Sequence, residues 1–481
     1  MNSPAAETVD VAIVGGGITG LAAAWAAHKR GLRVKLLEAR GTVGGKIRSE
    51  HRDGYLFEWG PNSFLGSATT IWQLVEDLKL EGELIAGLPP GDRFIYRNRL
   101  ARRLPSGPGD FFKNNDFMTL SGKLRMMCEP FVFGDARETD TLLDFARRRL
   151  GPEAAQYLVA PFVSGIYAGD AEQLGARDSF PQLWQWEYEA GSVVMGALLG
   201  GKKRAKAKDD KPKRRGMFNF KNGLGTLPFA IAAALPPDSV RTATVVNEVT
   251  GNPDQTWTLH CHATKDEAAT FEVRAKRVIL AAPPKIAAQV LPQDPALAAV
   301  RAALMDVQLC RVAVVHYGGE DKSHVAPKGF GMLIPPGEGL RTLGILFPSS
   351  VFPGRAPEGH YLHSGFLGGA RDPDAAELPD EKLLSLVQRA QEQAFPQTAG
   401  DALTRDFSQV IRWHDAIPQY RVGHRDRMTQ ARETLHQAMP GVTLAGNYLD
   451  GISVNDSAAS GIAAVDRLFA DNSLVTARRS T

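Results

Sequence analysis

Cysteine is scarce in this 481-residue chain: Cys128, Cys261 and Cys310 are its only three. They stand far apart and match no metal-ligand spacing, so no metal centre is expected and a reducing compartment is the simplest setting. Long apolar runs are also missing. No stretch approaches the roughly 18 uninterrupted apolar residues of a spanning helix. Residues 1–10 are polar and acidic, which reads as the absence of a signal peptide and predicts a cytoplasmic protein. A strong overall charge is lacking too, because the net value is only +3. That small number hides one uneven run. Residues 202–215 (KKRAKAKDDKPKRR) carry nine basic and two acidic residues, a surplus of seven that leaves the rest of the chain four charges negative against the total of +3. No recognition module or interleaved aromatics accompany the run, so nucleic acid is not an expected partner. A solvated insertion and attraction to anionic lipid headgroups remain as readings of it. What is plentiful is apolar residue, 43% of the chain, enough for the two to four domains its length suggests.

The chain is organised around residues 11–38. An apolar run at 11–14 reads as a buried parallel strand. Gly15-Gly16-Gly17-Ile18-Thr19-Gly20 then fits G-x-G-x-x-G, an Ala-rich segment at 21–29 favours helix, and a second strand at 34–37 ends on Glu38. Gly15 permits the tight turn, Gly17 lets a pyrophosphate reach the backbone, and Gly20 brings helix against strand. The helix N-terminus offers N–H groups and a positive dipole end to phosphates, and Glu38 accepts from a ribose 2′-OH. A second glycine pair, Gly44-Gly45, followed by Lys46 and Arg48, suits a flavin dinucleotide lying along extended chain. The acidic strand end disfavours a 2′-phosphate, so the reading is FAD rather than NADP.

Beyond this unit, Tyr55-Leu56-Phe57-Glu58-Trp59 reads as a strand and Gly60-Pro61-Asn62-Ser63-Phe64 as a turn. Ile71, Leu74, Val75 and Leu78 mark a one-sided helix, and residues 93–96 with 100–104 a hairpin. Residues 108–200 read as helical, with apolar pieces such as Phe131-Val132-Phe133 and residues 193–199 that are not cleanly amphipathic. These belong to an ordinary helical core, or meet a membrane or a lipophilic ligand. Strands follow at 245–249, 256–261, 271–273 and 278–282, then more strongly alternating ones at 309–317, 331–334, 342–347 and 361–366. A strand at 442–445 and a helix at 455–469 close the chain. The expected fold is α/β with α+β insertions. A Rossmann-like cofactor domain comprises residues 1–88, 216–300 and 425–481. A helical, membrane-associating domain spans 89–215 and holds the basic loop, and a mixed-sheet substrate domain spans 301–424.

In order along the chain, these motifs resemble the FAD-dependent, oxygen-using protoporphyrinogen oxidases of the amine-oxidase-like flavoprotein group. Besides the glycine motifs, the match rests on Gly60-Pro61-Asn62-Ser63-Phe64, Arg93-Phe94-Ile95-Tyr96, Gly329-Phe330-Gly331, Leu367-Gly368-Gly369, and Gly446-Asn447 with Gly451 and Val454-Asn455-Asp456. The most specific pieces are Gly165-Ile166-Tyr167-Ala168-Gly169-Asp170 and Ile417-Pro418-Gln419-Tyr420 with Gly423-His424. The resemblance implies that FAD meets Gly15, Gly16, Gly17, Ile18, Thr19, Gly20, Glu38, Ala39, Lys46, Gly60, Pro61, Asn62 and Ser63. It adds Val246 at the adenine, and Asn447, Ile452, Ser453 and Val454 beside the isoalloxazine. It implies Arg93 as the partner of a substrate propionate and Phe330, Gly331, Leu333 and Phe366 as pocket walls. Two departures stand out: the basic run exceeds the family's habit, and Phe366 replaces an aliphatic or sulfur side chain found in some members.

The implied reaction is oxidation of protoporphyrinogen IX to protoporphyrin IX, with hydride passing from a meso carbon to flavin N5, O2 as acceptor and H2O2 as by-product. It belongs to haem biosynthesis. Coproporphyrinogen III, with four propionates, is the alternative substrate; a flavin amine oxidase and a non-catalytic tetrapyrrole-binding flavoprotein are further alternatives. No acid–base dyad is evident, so no side chain is assigned as catalytic. No cysteine lies near the C-terminal motif, which implies non-covalent FAD. His28, His51, His260 and His262 read as structural. His424 reads as either a family-motif residue or a tie for a turn. Asn455 and Asp456 read as caps of the last helix. The remaining expectations are peripheral contact with the inner face of the cell membrane and, from the resemblance, a homodimer.

Overall fold

The computed structural model describes residues 8–88, 91–113, 117–132, 134–206 and 214–477. The middle of the basic run, residues 207–213, and Phe133 lie outside the described residues. The remainder of that run's N-terminal part is helical, ending the helix Val193–Lys206.

The first sheet is built on Thr8–Val14, which pairs in parallel with Val34–Leu37 on one side and Asp266–Leu280 on the other. Val240–Arg241 and Val442–Leu444 add parallel strands, and Trp257–Ala263 and Thr244–Gly251 continue the sheet antiparallel. Val11, Ala12 and Ile13 are fully buried because helices cover both faces, and a strand so covered reads as a continuous apolar run. One face carries Ile18–Lys29, Thr226–Ala234 and the final helix Val454–Ala477. The other carries Pro284–Val290, Ala298–Met305 and His424–Ala438. Residues 271–273 and 278–282, expected as two strands, belong to the single strand Asp266–Leu280, which ends at Leu280. Residues 266–275 pair with Trp257–Ala263 near the surface and carry Glu267, Glu272 and Arg274, so charge interrupts the apolar pattern without interrupting the backbone ladder.

The second sheet runs in the order Phe407–Trp413, Val312–Glu320, His360–Gly368, Thr342–Leu346, Gly331–Leu333, Arg93–Arg97, Leu100–Arg103. The Arg93–Arg103 hairpin therefore joins this sheet, through a parallel pairing of Arg93–Arg97 with Gly331–Leu333, rather than the helices that follow it. Ile95 and Tyr96 demand burial, but their local pattern does not say against what. Helix Asp380–Ala394 covers the face bearing Met332 and Ile345, and Gly365 lets Val387 approach. The opposite face, one residue out of phase, holds Arg93, Gly331, Leu333, Gly344, Leu346 and Phe366.

The described part of residues 108–206 is mainly helical. Its interior is ionic as well as apolar: fully buried Arg149 pairs with Glu129, and Arg148 with Asp140 and Glu187. Its outer surface leaves Leu120, Leu124, Met127, Phe131, Phe162 and Leu198 exposed. Among the described residues no helix is long and apolar enough to cross a membrane.

Candidate functional site

The glycine crook follows Thr8–Val14. Gly15 has φ +110°, and a Cβ there would sit 2.8 Å from the Ala281 carbonyl oxygen. A Cβ on Gly20 would lie 1.9 Å from the Gly15 carbonyl oxygen, so helix and crook touch only because Gly20 has none. At Gly17 the geometry is opposite: a Cβ would meet nothing within 4 Å. Gly15 and Gly20 thus serve the fold, whereas Gly17 leaves open space over the start of a helix, where an anion fits. Gly44 N–H donates to the Gly16 carbonyl (2.8 Å), and Gly17 and Gly44 form a parallel bridge. The second glycine pair therefore packs directly on the first and keeps the space beside it clear.

Glu38 does more than wait for a ribose. Its Oε2 accepts from Gly16 N–H (2.6 Å) and its Oε1 from Arg40 N–H (2.9 Å), which fastens crook to strand end. Each oxygen retains a lone pair for a 2′-OH. Val246 reaches this corner because residues 243–244 donate to the carbonyls of Arg40 (2.8 Å) and Glu38 (2.9 Å). The Ala39 carbonyl accepts from Thr264 Oγ1. Ile18 and Thr19 are buried, the Thr19 carbonyl lying under Gly461 of the last helix. Lys46 is placed differently from a phosphate-side cation. Its ammonium donates to the Ala416 carbonyl (2.6 Å), and burial pulls its pKa down to about 8. The turn Gly60-Pro61-Asn62-Ser63 is held by Asn219, whose Nδ2 donates both to Glu58 Oε1 (2.9 Å) and to the Asn62 carbonyl (2.8 Å).

The C-terminal segment arrives from the far end of the chain. Ser453 caps the last helix: its Oγ accepts from Asp456 N–H (3.1 Å), and Asp456 Oδ2 accepts from Ser453 N–H (3.4 Å), a reciprocal box. Asn455, expected to cap the same helix, caps another. Its Oδ1 accepts from Thr70 and Ile71 N–H (3.0 and 3.3 Å), at the start of helix Thr69–Asp77. The helix begins one residue earlier than expected, which puts Asn455 inside its first turn and frees the side chain to reach a neighbour.

Behind Asn447 the two most specific sequence stretches form one support. Tyr420 Oη donates to the Asn447 carbonyl (2.6 Å) and His424 Nε2 to the Tyr448 carbonyl (2.7 Å), the two rings stacked 4.4 Å apart. Burial pushes His424 down to about 4, so it is neutral at pH 7. Gln419 Nε2 donates to the Tyr167 carbonyl, Tyr167 Oη to the Ser179 carbonyl, and Asp178 accepts from Gly423 and Arg425 N–H. His424 therefore ties down a turn, one of its two readings. No signal in the sequence marks Asp178; Tyr420 stands in a family stretch and Ser453 among the residues expected beside the isoalloxazine, but their roles as brace and helix cap are visible only in the fold.

On the open face of the second sheet, Arg93 lies beside Gly331, and Leu333, Gly344 and Phe366 form one cross-strand row. Arg93 is exposed, its guanidinium 5.7 Å from the Phe330 ring. Leu333 lies over Gly165, where a Cβ would come within 2.6 Å of its Cδ2. Phe366 packs near Trp59 and Ile417. One cavity holds Arg93 and Phe330; a second joins Phe330 and Leu346 to Asn62 and Ser63.

Known proteins share this plan. The family described as flavin containing amine oxidoreductase matches residues 18–469. A mitochondrial protoporphyrinogen oxidase of Nicotiana tabacum is 31% identical over 95% of this chain and 94% of its own length. A coproporphyrinogen III oxidase of Bacillus subtilis is 32% identical over 95% of this chain and 97% of its own. A solved structure from Exiguobacterium sp. 255-15 superposes with a TM-score of 0.80 at 24% identity, covering 97% of this chain and all of that one, which is a likeness of fold. The chain belongs to the flavin containing amine oxidoreductase family, on the side of it that the protoporphyrinogen oxidases occupy.

Proposed function

We propose that the protein is an FAD-dependent oxidase that converts protoporphyrinogen IX to protoporphyrin IX, with O2 as acceptor and H2O2 as by-product. What carries this reading is the open cradle at Gly17 in a chain that is 31% identical, over 95% of its length, to a protoporphyrinogen oxidase. The open cradle at Gly17, the free lone pairs of Glu38 and the N-terminus of the last helix fit an FAD. When bound, FAD supplies the hydride acceptor for a meso carbon. The chain's residues do the rest. Arg93 holds a propionate by a charge-assisted bond. Phe330, Leu333 and Phe366 form apolar walls that exclude water from a flat macrocycle. The segment Asn447 to Val454 presents the positive end of a helix to negative charge developing on the cofactor. Buried Cys261 and Cys310, whose thiols burial pushes up to about 12 and about 11, are poor candidates for a covalent link.

Anaerobic mixing of the yellow protein with protoporphyrinogen, coproporphyrinogen and tyramine tests this. Bleaching by protoporphyrinogen is expected. Bleaching by amine alone overturns the reading, and no bleaching by any donor favours a non-catalytic tetrapyrrole binder. The 32% identity to the Bacillus subtilis coproporphyrinogen III oxidase favours a second reading, the tetracarboxylate substrate; faster bleaching by coproporphyrinogen would select it. The exposed apolar side chains of residues 112–199, next to the basic run, support docking on an anionic membrane surface. Failure to sediment with anionic vesicles at low salt would refute that docking.

A further inference from the structure

Phe330 separates two spaces. One is the Arg93 cavity, assigned above to the substrate. The other, about 20 Å³, is lined by Phe57, Leu346, Val351 and Phe352 together with Asn62, Ser63, Glu58 and Arg355. Arg355 is 2% exposed, and its Nη1 has no hydrogen-bond partner. Glu58 Oε1 stands 3.7 Å from that nitrogen, near enough to balance charge but too far to accept its proton. Glu58 is already engaged by Ser49 Oγ (2.5 Å), Asn219 Nδ2 (2.9 Å) and Leu224 N–H (2.9 Å). A buried donor left unmade is costly, and its persistence calls for an occupant of the space it faces.

Roughly 10–15 Å³ holds one water. A space of about 20 Å³ holds a molecule of one or two heavy atoms. The predominantly apolar wall suits a non-polar gas, and the buried cation in the lining suits a gas that becomes charged. We propose that this cavity is the dioxygen site of the oxidase, with Arg355 as the group that stabilises the charge passing to oxygen. The proposal rests on the oxidase reading above. Two electrons leave the reduced flavin for O2; one proton comes with them from the flavin and one from solvent. The O–O bond stays intact, and hydrogen peroxide departs.

The test isolates the oxidative half-reaction. Holoenzyme is photoreduced without any porphyrinogen, then mixed with O2 or with ferricenium, an outer-sphere acceptor. Arg355→Met is expected to slow reoxidation by O2 on the order of 100-fold, with Arg355→Lys recovering much of it. Leu346→Phe, which fills the cavity, is expected to slow it as well. Neither changes the ferricenium rate. In flavin-free protein under oxygen pressure, the Val351 methyls are expected to relax faster than those of Leu435, a buried residue in the core under the first sheet, and Leu346→Phe to abolish the difference. Wild-type O2 rates in both cavity variants, or equal slowing with ferricenium, would overturn the proposal. If Arg355→Met does not fold, Leu346→Phe and the methyl relaxation still decide it. Failure of the wild type to be bleached by porphyrinogen would instead sink the oxidase reading, since photoreduction needs no substrate.

Discussion

The two segments proposed to hold the cofactor are themselves held in opposite ways. The amino-terminal crook is nearly self-contained: Gly15, Gly16, Gly20, Gly44 and Glu38 fix one another within about one βαβ unit. The carboxy-terminal turn is held from outside. Tyr420 and His424 grip its carbonyls, Gln419 and Tyr167 back them, and Asn455 reaches across to residues 70 and 71. One end is a local motif, and the other is a tertiary assembly that happens to include a turn. Failure at the first should be steric and immediate, and failure at the second graded.

The steepest test is Gly20→Ala. With a Cβ 1.9 Å from a backbone oxygen, the crook and helix must part, and a loss above about 3 kcal/mol is expected, read as a collapse of thermal stability even without FAD. Acid should act on the other end. His424 keeps its proton less readily than an unfolded histidine, about 4 against 6.5, so its contribution is complete above pH 6.5 and drains as pH falls from 6.5 to 4. Arg425 and Arg427 work in the same direction and Asp306 against it. The slope of Tm against pH in that window should be shallower in His424→Gln; identical slopes would remove His424 from the account.

Gly17→Ala separates fold from binding. Its φ of −73° and empty surroundings accept a methyl, so the apoprotein should melt as before while the Kd for FAD rises on the order of 100-fold, about 2.7 kcal/mol. Lost stability with affinity unchanged would make the crook purely architectural. Tyr420→Phe strands the Asn447 carbonyl, a penalty of about 1–3 kcal/mol that should appear as roughly a tenfold rise in the FAD Kd by fluorescence titration. Arg93→Ala touches neither end and should show the smallest change: a several-fold rise in KM, on the order of 1 kcal/mol for an exposed cation, with FAD retained. Unchanged KM would take Arg93 out of the pocket.

The same contrast sets what could be read in advance. The first strand, the crook, Glu38 and the helix after them were legible because every constraint on them lies within a few dozen residues and shows as apolar run, glycine spacing and acid. The strand Asp266–Leu280 was read as two pieces because its exposed half obeys pairing rather than hydrophobic pattern. Asn455 was assigned to the wrong helix, since the N–H groups it caps belong to residues 385 and 384 positions away.

By itself the sequence determined that a dinucleotide unit opens the chain, and that its glycines have different duties. Only the tertiary structure decided that the Arg93 hairpin edges the second sheet, that Lys46 bonds to the Ala416 carbonyl, that Tyr420 and His424 brace the last turn, and that Arg355 faces a small cavity unpaired. Glycine spacing is a local steric code written along the backbone. Which distant carbonyl, helix end or cavity a polar side chain meets depends on how the sheets and helices stack, and no spacing along the chain records it.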